Sequence, residues 1–304
     1  MITGHKRALI LLNASAGTGR AGQNTWTIIR RFAENGFEPI VYPIVPGTDL
    51  ISEKLLAAYD GEIDTVLCCG GDGTLNHVIE GMMRMVKRPR LAYLPTGSTN
   101  DFARTLGIPF EFEKALDAAL QDHLFRYDVG TLNGRFFNYI AAFGAFSAIS
   151  YDTGQELKNI LGHAAYIVSA VSELYEHMSF SRRLRIEADD FSEEADYIFG
   201  AVCNSAYVAG FSVFRDLDVH LDDGKMELLL IKTPKTAADL QGIFTAFQKG
   251  TFDHPYLTFR HISSVRILSD EPVAWTVDGE YGGSHRETAI EVRQQAISIL
   301  RKAQ

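Results

Sequence analysis

A chain of 304 residues, 46% apolar and 22% charged, is long enough for two domains with a sizeable core. Its net charge of −9 argues against non-specific nucleic-acid binding, and no apolar stretch reaches the ~18 residues that span a bilayer. Three cysteines, two of them adjacent, fit a reducing cytoplasm, and the opening Met1-Ile2-Thr3-Gly4-His5-Lys6-Arg7 lacks the apolar region of a secretion signal.

Ala8-Leu9-Ile10-Leu11-Leu12 is a continuous apolar run, the pattern of a buried strand, and a small-residue loop, Asn13-Ala14-Ser15-Ala16-Gly17-Thr18-Gly19, follows it. Trp26, Ile29 and Phe32 stand at helical spacing, and Asn35-Gly36 is a stop signal. A strand over 37–42, a helix over 50–59 and a strand over 65–69 come next. Gly70-Gly71-Asp72-Gly73-Thr74-Leu75-Asn76 then hands the third strand to a helix expected over 74–87. Glycine removes the Cβ that would keep a ligand from the backbone amides. The helix start aims free N–H groups and a positive dipole end at an anion. An acid in such a loop repels phosphate unless a divalent cation lies between them, so Asp72 points to magnesium. An ordinary strand-to-helix turn also favours Gly and Asp.

A strand over 91–94 leads into a second loop, Pro95-Thr96-Gly97-Ser98-Thr99-Asn100-Asp101-Phe102-Ala103-Arg104. Gly97 permits close approach, Ser98 and Thr99 offer hydroxyls, and Asn100 or Asp101 is placed to cap a helix. Helix-separated strands predict a parallel, doubly wound α/β sheet, with the three loops along its carboxyl edge. Neither a Gly-x-x-x-x-Gly-Lys-Ser/Thr run nor a dinucleotide fingerprint in the first turn is present.

After residue 128 the pattern turns to short strands, at 184–188, 197–204, 226–232, 256–259, 264–268 and 289–293, with helices over 164–177 and 237–249. Turn residues such as Asp222-Asp223-Gly224 and Asp278-Gly279 separate them. The expectation is a nucleotide-binding α/β domain over 1–127 and a β-sandwich-like domain over 128–304.

Gly70-Gly71-Asp72-Gly73-Thr74, Pro95-x-Gly97-Ser98-x-Asn100-Asp101-Phe102-Ala103 and Val277-Asp278-Gly279-Glu280 together resemble the diacylglycerol kinase catalytic family, in its soluble bacterial branch. Lys158-x-x-Leu161-Gly162-x-x-Ala165-Tyr166 is a further match, and order and spacing hold over nearly the whole chain. The resemblance implies an ATP-dependent lipid kinase with its active site in a cleft between two domains. It implies that Asn13, Gly70 through Asn76, Gly97 and Ser98 bind nucleotide, and that Glu280 is the general base. It also implies that Asp72, Asp101 and Asp128 hold catalytic Mg2+ through waters. A structural magnesium would take the Asp223 side chain and the backbone carbonyls of His220 and Lys225. The implied partner is a lipid at the inner face of the membrane, met by a cytoplasmic protein through peripheral contact; whether it works as a homodimer is open.

Some positions depart from the family pattern. Ala14 stands where relatives have Pro, Ser98 replaces a commoner Thr, and Thr48 is the candidate for a nucleotide contact usually made after the second strand. Two other readings share these residues: an NAD kinase, which also carries a Gly-Gly-Asp-Gly-Thr loop, and a silent lipid- or nucleotide-binding regulator. The acceptor is not chosen by the sequence, since diacylglycerol, monoacylglycerol, a sphingoid base, phosphatidylglycerol and a prenol all offer a hydroxyl beside apolar tails. Phe143, Phe146, Phe211 and Phe214 serve an acyl pocket or a core equally well.

Overall fold

The computed structural model describes residues 6–17, 19–45, 52–144, 181–205, 219–249 and 251–302. Thr48, the Lys158–Tyr166 motif, the helix expected over 164–177, and Phe146, Phe211 and Phe214 lie outside them. The chain packs as two compact units, one of Met1–Asp128 with Gln295–Gln304, the other of Val129–Gln294. The tail 295–304 thus joins the first unit, where the sequence reading had kept it in the second.

In the first unit, strands β1 (Lys6–Leu12), β2 (Phe37–Pro43), β3 (Thr65–Gly70) and β4 (Arg90–Pro95) lie parallel in the order β4-β3-β1-β2. Between and after them come α1 (Arg20–Gln23), α2 (Thr25–Glu34), α3 (Ser52–Ala58), α4 (Asp72–Met83), α5 (Asp101–Thr105) and α6 (Phe112–Ala119). Alternate residues of a strand face opposite sides, so an unbroken apolar strand needs cover on both. Ala8, Ile10, Leu12, Leu67, Cys69, Ala92 and Leu94 pack in one cluster with Ile28, Phe32 and Leu116. Leu9, Leu11, Val66 and Cys68 alternate with them and are fully buried too. Each fully buried Leu or Ile contributes about 1.5–3 kcal/mol. Leu300 belongs to the same cluster and Ile299 pairs with Leu91 in parallel, which is what holds the tail in this unit.

Two local expectations shift. The stripe of α2 that enters the core is Ile28 and Phe32, four residues apart, and Trp26 is 72% exposed. Helix α4 starts two residues early, at Asp72, and ends at Met83 with Arg84 as its C-cap. Beyond it the Asp60 carboxylate accepts from the Val86 and Lys87 amides at 2.8 and 2.9 Å and fixes a turn there.

Strand β5 (Leu124–Leu132) carries the chain into the second unit, followed by β6 (Arg135–Phe137), β7 (Ile140–Gly144), β8 (Arg182–Ala188), β9 (Phe191–Cys203), β10 (Met226–Lys232), α7 (Ala237–Gln248), β11 (Leu257–Ile262), β12 (Ser264–Val277) and β13 (Glu280–Leu300). The order β11-β10-β9-β7-β12-β13 is antiparallel throughout, and β8 also pairs with both β9 and β12. Two separate strands therefore bridge the long β9 and β12, and the enclosed core holds Phe143, Leu184, Tyr197, Leu228, Ile267 and Trp275. This is a β-sandwich-like arrangement. The short strands expected at 264–268 and 289–293 are parts of one long hairpin. Register shifts at Leu268/Val273 and Trp275/Thr276 break the alternation that would have revealed its length. Phe143 is fully buried with its ring 4.9 Å from that of Trp275, so it is core and not an acyl-pocket wall.

One buried acid gives the second unit a pH dependence. Glu227 on β10 is 1% exposed, lies opposite Cys203 and His261 in register, and has His261 Nδ1 at 3.5 Å. Burial, reinforced by repulsion from Asp223, pushes its carboxyl from an ordinary value near 4.5 up to about 8. Between these values the folded chain holds a proton that the unfolded chain has released, so stability falls as pH rises through the window. The melting temperature should drop between pH 6 and pH 9, and Glu227→Gln should flatten that slope. An undiminished slope in the variant would assign it to another group.

Candidate active site

Because β1, β3 and β4 are parallel neighbours, the loops that leave their carboxyl ends share one edge of the first unit. The backbone ties them: Asn13 N donates to Cys69 O at 2.9 Å, and Thr96 N donates to Gly70 O at 2.8 Å. Asn13 Nδ2 also donates to Thr74 Oγ1 at 2.9 Å. A Cβ on Gly97 would stand 2.4 Å from Gly71 Cα, and one on Gly17, at φ +56°, 2.3 Å from Thr96 O. Only glycine lets three backbones come this close.

The expected nucleotide residues divide by exposure. Gly73 and Ser98 are exposed, and the space a Cβ would take on Gly73 is open. Thr74 and Asn76 are half-buried, and the buried Asn76 Oδ1 accepts no hydrogen bond from the described residues. Leu75 is fully buried. Its side chain serves the core, so any part it plays toward a ligand falls to its backbone.

Asp72 opens α4 and reaches across to the start of α5. Its Oδ2 accepts from Asp101 N at 3.1 Å and its Oδ1 from Phe102 N at 3.3 Å. Burial raises its pKa, those amides oppose the rise, and repulsion from Asp101 adds to it. Asp101 itself is 1% exposed. Two neighbouring acids whose charges raise each other's cost of ionisation are a fitting place for a cation. Asp128 is fully buried, and its Oδ1 accepts at 2.6 Å from the amide of Gln295, which sits at φ 48° where the chain re-enters the unit. That bond gives Asp128 a structural duty at a kink.

The bracing of the 96–101 loop comes from Asn100, which stands at the expected N-cap position of α5 but spends its side chain on the loop. At φ 52°, its Oδ1 accepts from Gly97 N at 3.1 Å and from Tyr93 Oη at 3.3 Å, and its Nδ2 donates to Gly97 O at 2.8 Å. Asn tolerates this left-handed conformation better than most residues.

In the second unit, Asp278 and Gly279 both have positive φ (48° and 86°) and join Val277 to Glu280 in a two-residue hairpin turn. Glu280 is half-exposed there, and its Oε2 accepts from Arg135 Nη2 at 2.8 Å. The Asp278 carboxylate accepts from three successive amides, Asn138 at 2.6 Å, Tyr139 at 3.0 Å and Ile140 at 3.0 Å. Burial lifts its pKa to about 6, against the pull of those amides and of the Arg135 charge. The Asp-Gly pair signalled the turn, but nothing local in the sequence signals which amides, 138 residues and more away, the carboxylate binds. His220, Asp223 and Lys225 lie in one bend before β10, where Asp223 Oδ1 accepts from Lys225 N at 2.9 Å. That bond is an Asx turn, sufficient reason for an Asp at this position without a metal.

Comparison with known proteins bears on both units. Residues 7–132 match the family model of a diacylglycerol kinase catalytic domain, and residues 142–301 match that of the YegS C-terminal NAD kinase beta sandwich-like domain. The chain is 30% identical over 290 residues to a diacylglycerol kinase of Staphylococcus carnosus, covering 95% of this chain and 93% of that one. With a diacylglycerol kinase of Staphylococcus aureus it shares 32% over 279 residues, 91% of this chain and 87% of the other. Two solved structures from Bacillus anthracis have TM-scores of 0.80 and 0.75 at 24% and 22% identity, each over 99% of this chain and 98% of the other.

Proposed function

The chain belongs to the diacylglycerol kinase family, and on that premise we propose that it moves the γ-phosphoryl group of ATP onto the free hydroxyl of a diacylglycerol, giving phosphatidic acid. The observation that carries the reading is the meeting of the Asn13, Gly70–Asn76 and Gly97–Asp101 loops at one sheet edge, with Asp72 set against Asp101. Phosphoryl transfer asks for positioning and charge neutralisation more than covalent help. The glycine backbones and the start of α4 suit the phosphates. Asp72 and Asp101 would hold magnesium, with Asp128 as a further candidate; magnesium typically keeps several waters and touches few carboxylates. When bound, it offsets the charge of the phosphate oxygens.

Glu280 is assigned as general base. It takes the hydroxyl proton as the new O–P bond forms and the bond to the β–γ bridging oxygen breaks, leaving ADP. Its placement after a rigid turn and its bond to Arg135 support that role. The substrate is membrane-borne, so the protein works by peripheral contact at the inner face; no helix among the described residues is long and apolar enough to cross. Nucleic acid is no part of this function. Removal of magnesium by a chelator should stop transfer, and excess magnesium should restore it. Transfer that persists in the chelator would contradict the metal assignment.

A further inference from the structure

We propose that Arg135 is the positioning residue for Glu280, orienting its carboxylate through one arm of the guanidinium and anchoring the adjacent backbone through the other. This rests on the reading of Glu280 as the base. Nη2 donates to Glu280 Oε2 at 2.8 Å and Nη1 to the carbonyl of Tyr281 at 2.7 Å. The two residues occupy equivalent places on two hairpins. Arg135 follows the Asn133-Gly134 turn between β5 and β6, and Glu280 follows the Asp278-Gly279 turn between β12 and β13; all four turn residues have positive φ. Turns of this kind are stiff and fix the direction in which the next side chain leaves.

The hairpin carrying Arg135 is itself pinned. Asn133 N donates to Ala289 O at 2.9 Å, its Oδ1 accepts from Ala289 N at 2.8 Å, and its Nδ2 donates to Glu287 O at 3.1 Å. Just past β6, the amides of Asn138, Tyr139 and Ile140 hold the Asp278 carboxylate. The turn that presents Glu280 is therefore gripped from both ends of β6, by Arg135 at its start and by three amides just past its end. Exposed ion pairs add little to stability, so stability does not account for this arrangement. A planar fork that engages a side chain and a backbone carbonyl at once supplies orientation, and lysine cannot copy it.

The test compares steady-state kinetics on ATP-magnesium and diacylglycerol in mixed micelles for the wild type, Arg135→Ala, Arg135→Lys, Glu280→Gln and the double variant Arg135→Ala/Glu280→Gln. A displaced base costs about 100-fold, so Arg135→Ala should lower kcat by roughly that factor with the KM for ATP within about twofold. Arg135→Lys should recover only part of the loss. The double variant should be no slower than Glu280→Gln alone, because a positioning residue has nothing left to position. Circular dichroism and melting temperature report folding, and if Arg135→Ala is misfolded then Arg135→Lys carries the test. Losses that multiply in the double variant, a raised KM for ATP at unchanged kcat, or Arg135→Ala at half the wild-type kcat or more would each overturn the positioning role. Wild-type turnover in Glu280→Gln would remove the base reading and this inference with it. A slow Glu280→Gln beside a fast Arg135→Ala would remove the inference alone.

Discussion

Glu280→Gln should lower kcat by a hundred- to a thousandfold, with the KM for ATP within about twofold and the fold unchanged. The fold should survive because the side chain is half-exposed and the amide oxygen of glutamine can still accept from Arg135. What glutamine cannot do is take a proton. The effect is placed toward the lower half of the range for general-base catalysis because the transition state is loose, with proton transfer running late. Steady-state turnover on a diacylglycerol checks it, and a loss smaller than about tenfold would contradict the assignment.

Asp72 carries the second large effect, and two substitutions separate its two duties. Asp72→Asn keeps one oxygen, enough for the amide of Asp101 or of Phe102 but not for both, and removes the charge that would attract magnesium. Burial and the nearby Asp101 already disfavour the charged form, so the neutral replacement should fold, its stability cost confined to the one amide left without an acceptor. Turnover should nonetheless fall on the order of a thousandfold. Asp72→Ala should show the same loss of turnover and a further stability penalty of about 1–3 kcal/mol, because both amides at the start of α5 then lose their acceptor. Thermal denaturation beside kinetics distinguishes the pair. An active Asp72→Asn would leave Asp72 as a structural cap only.

What was legible in the sequence was whatever is local. The apolar run of β1, the glycines after β3 and β4, and the Asp-Gly turn before Glu280 each carry their own signal over a handful of residues. Their order allowed the α/β unit, its loop edge and the strand-rich second unit to be anticipated. What escaped is set by distant partners. Spacing put Trp26 and Ile29 on the same face as Phe32, and only the neighbouring elements decide that Ile28 faces in and Trp26 out. Asn100 does stand at the N-cap of α5, but only the structure shows its backbone at positive φ and its side chain closing the loop on Gly97. The length of β12 and β13 was hidden by bulges that interrupt the alternation. Ile299 and Leu300 end a long strand without any turn to announce that they pack with β4 and the first core. Arg135 is unremarkable in sequence, and its meaning depends on two hairpins separated by more than a hundred residues.

The most direct test of the central claim is transfer of labelled γ-phosphate from ATP-magnesium to diacylglycerol in mixed micelles, with a panel of other lipids and NAD as parallel acceptors. The account predicts label in phosphatidic acid. Label on another lipid would move the acceptor and keep the phosphoryl chemistry. Label on NAD alone, or no transfer to any acceptor by protein that still binds ATP, would contradict it.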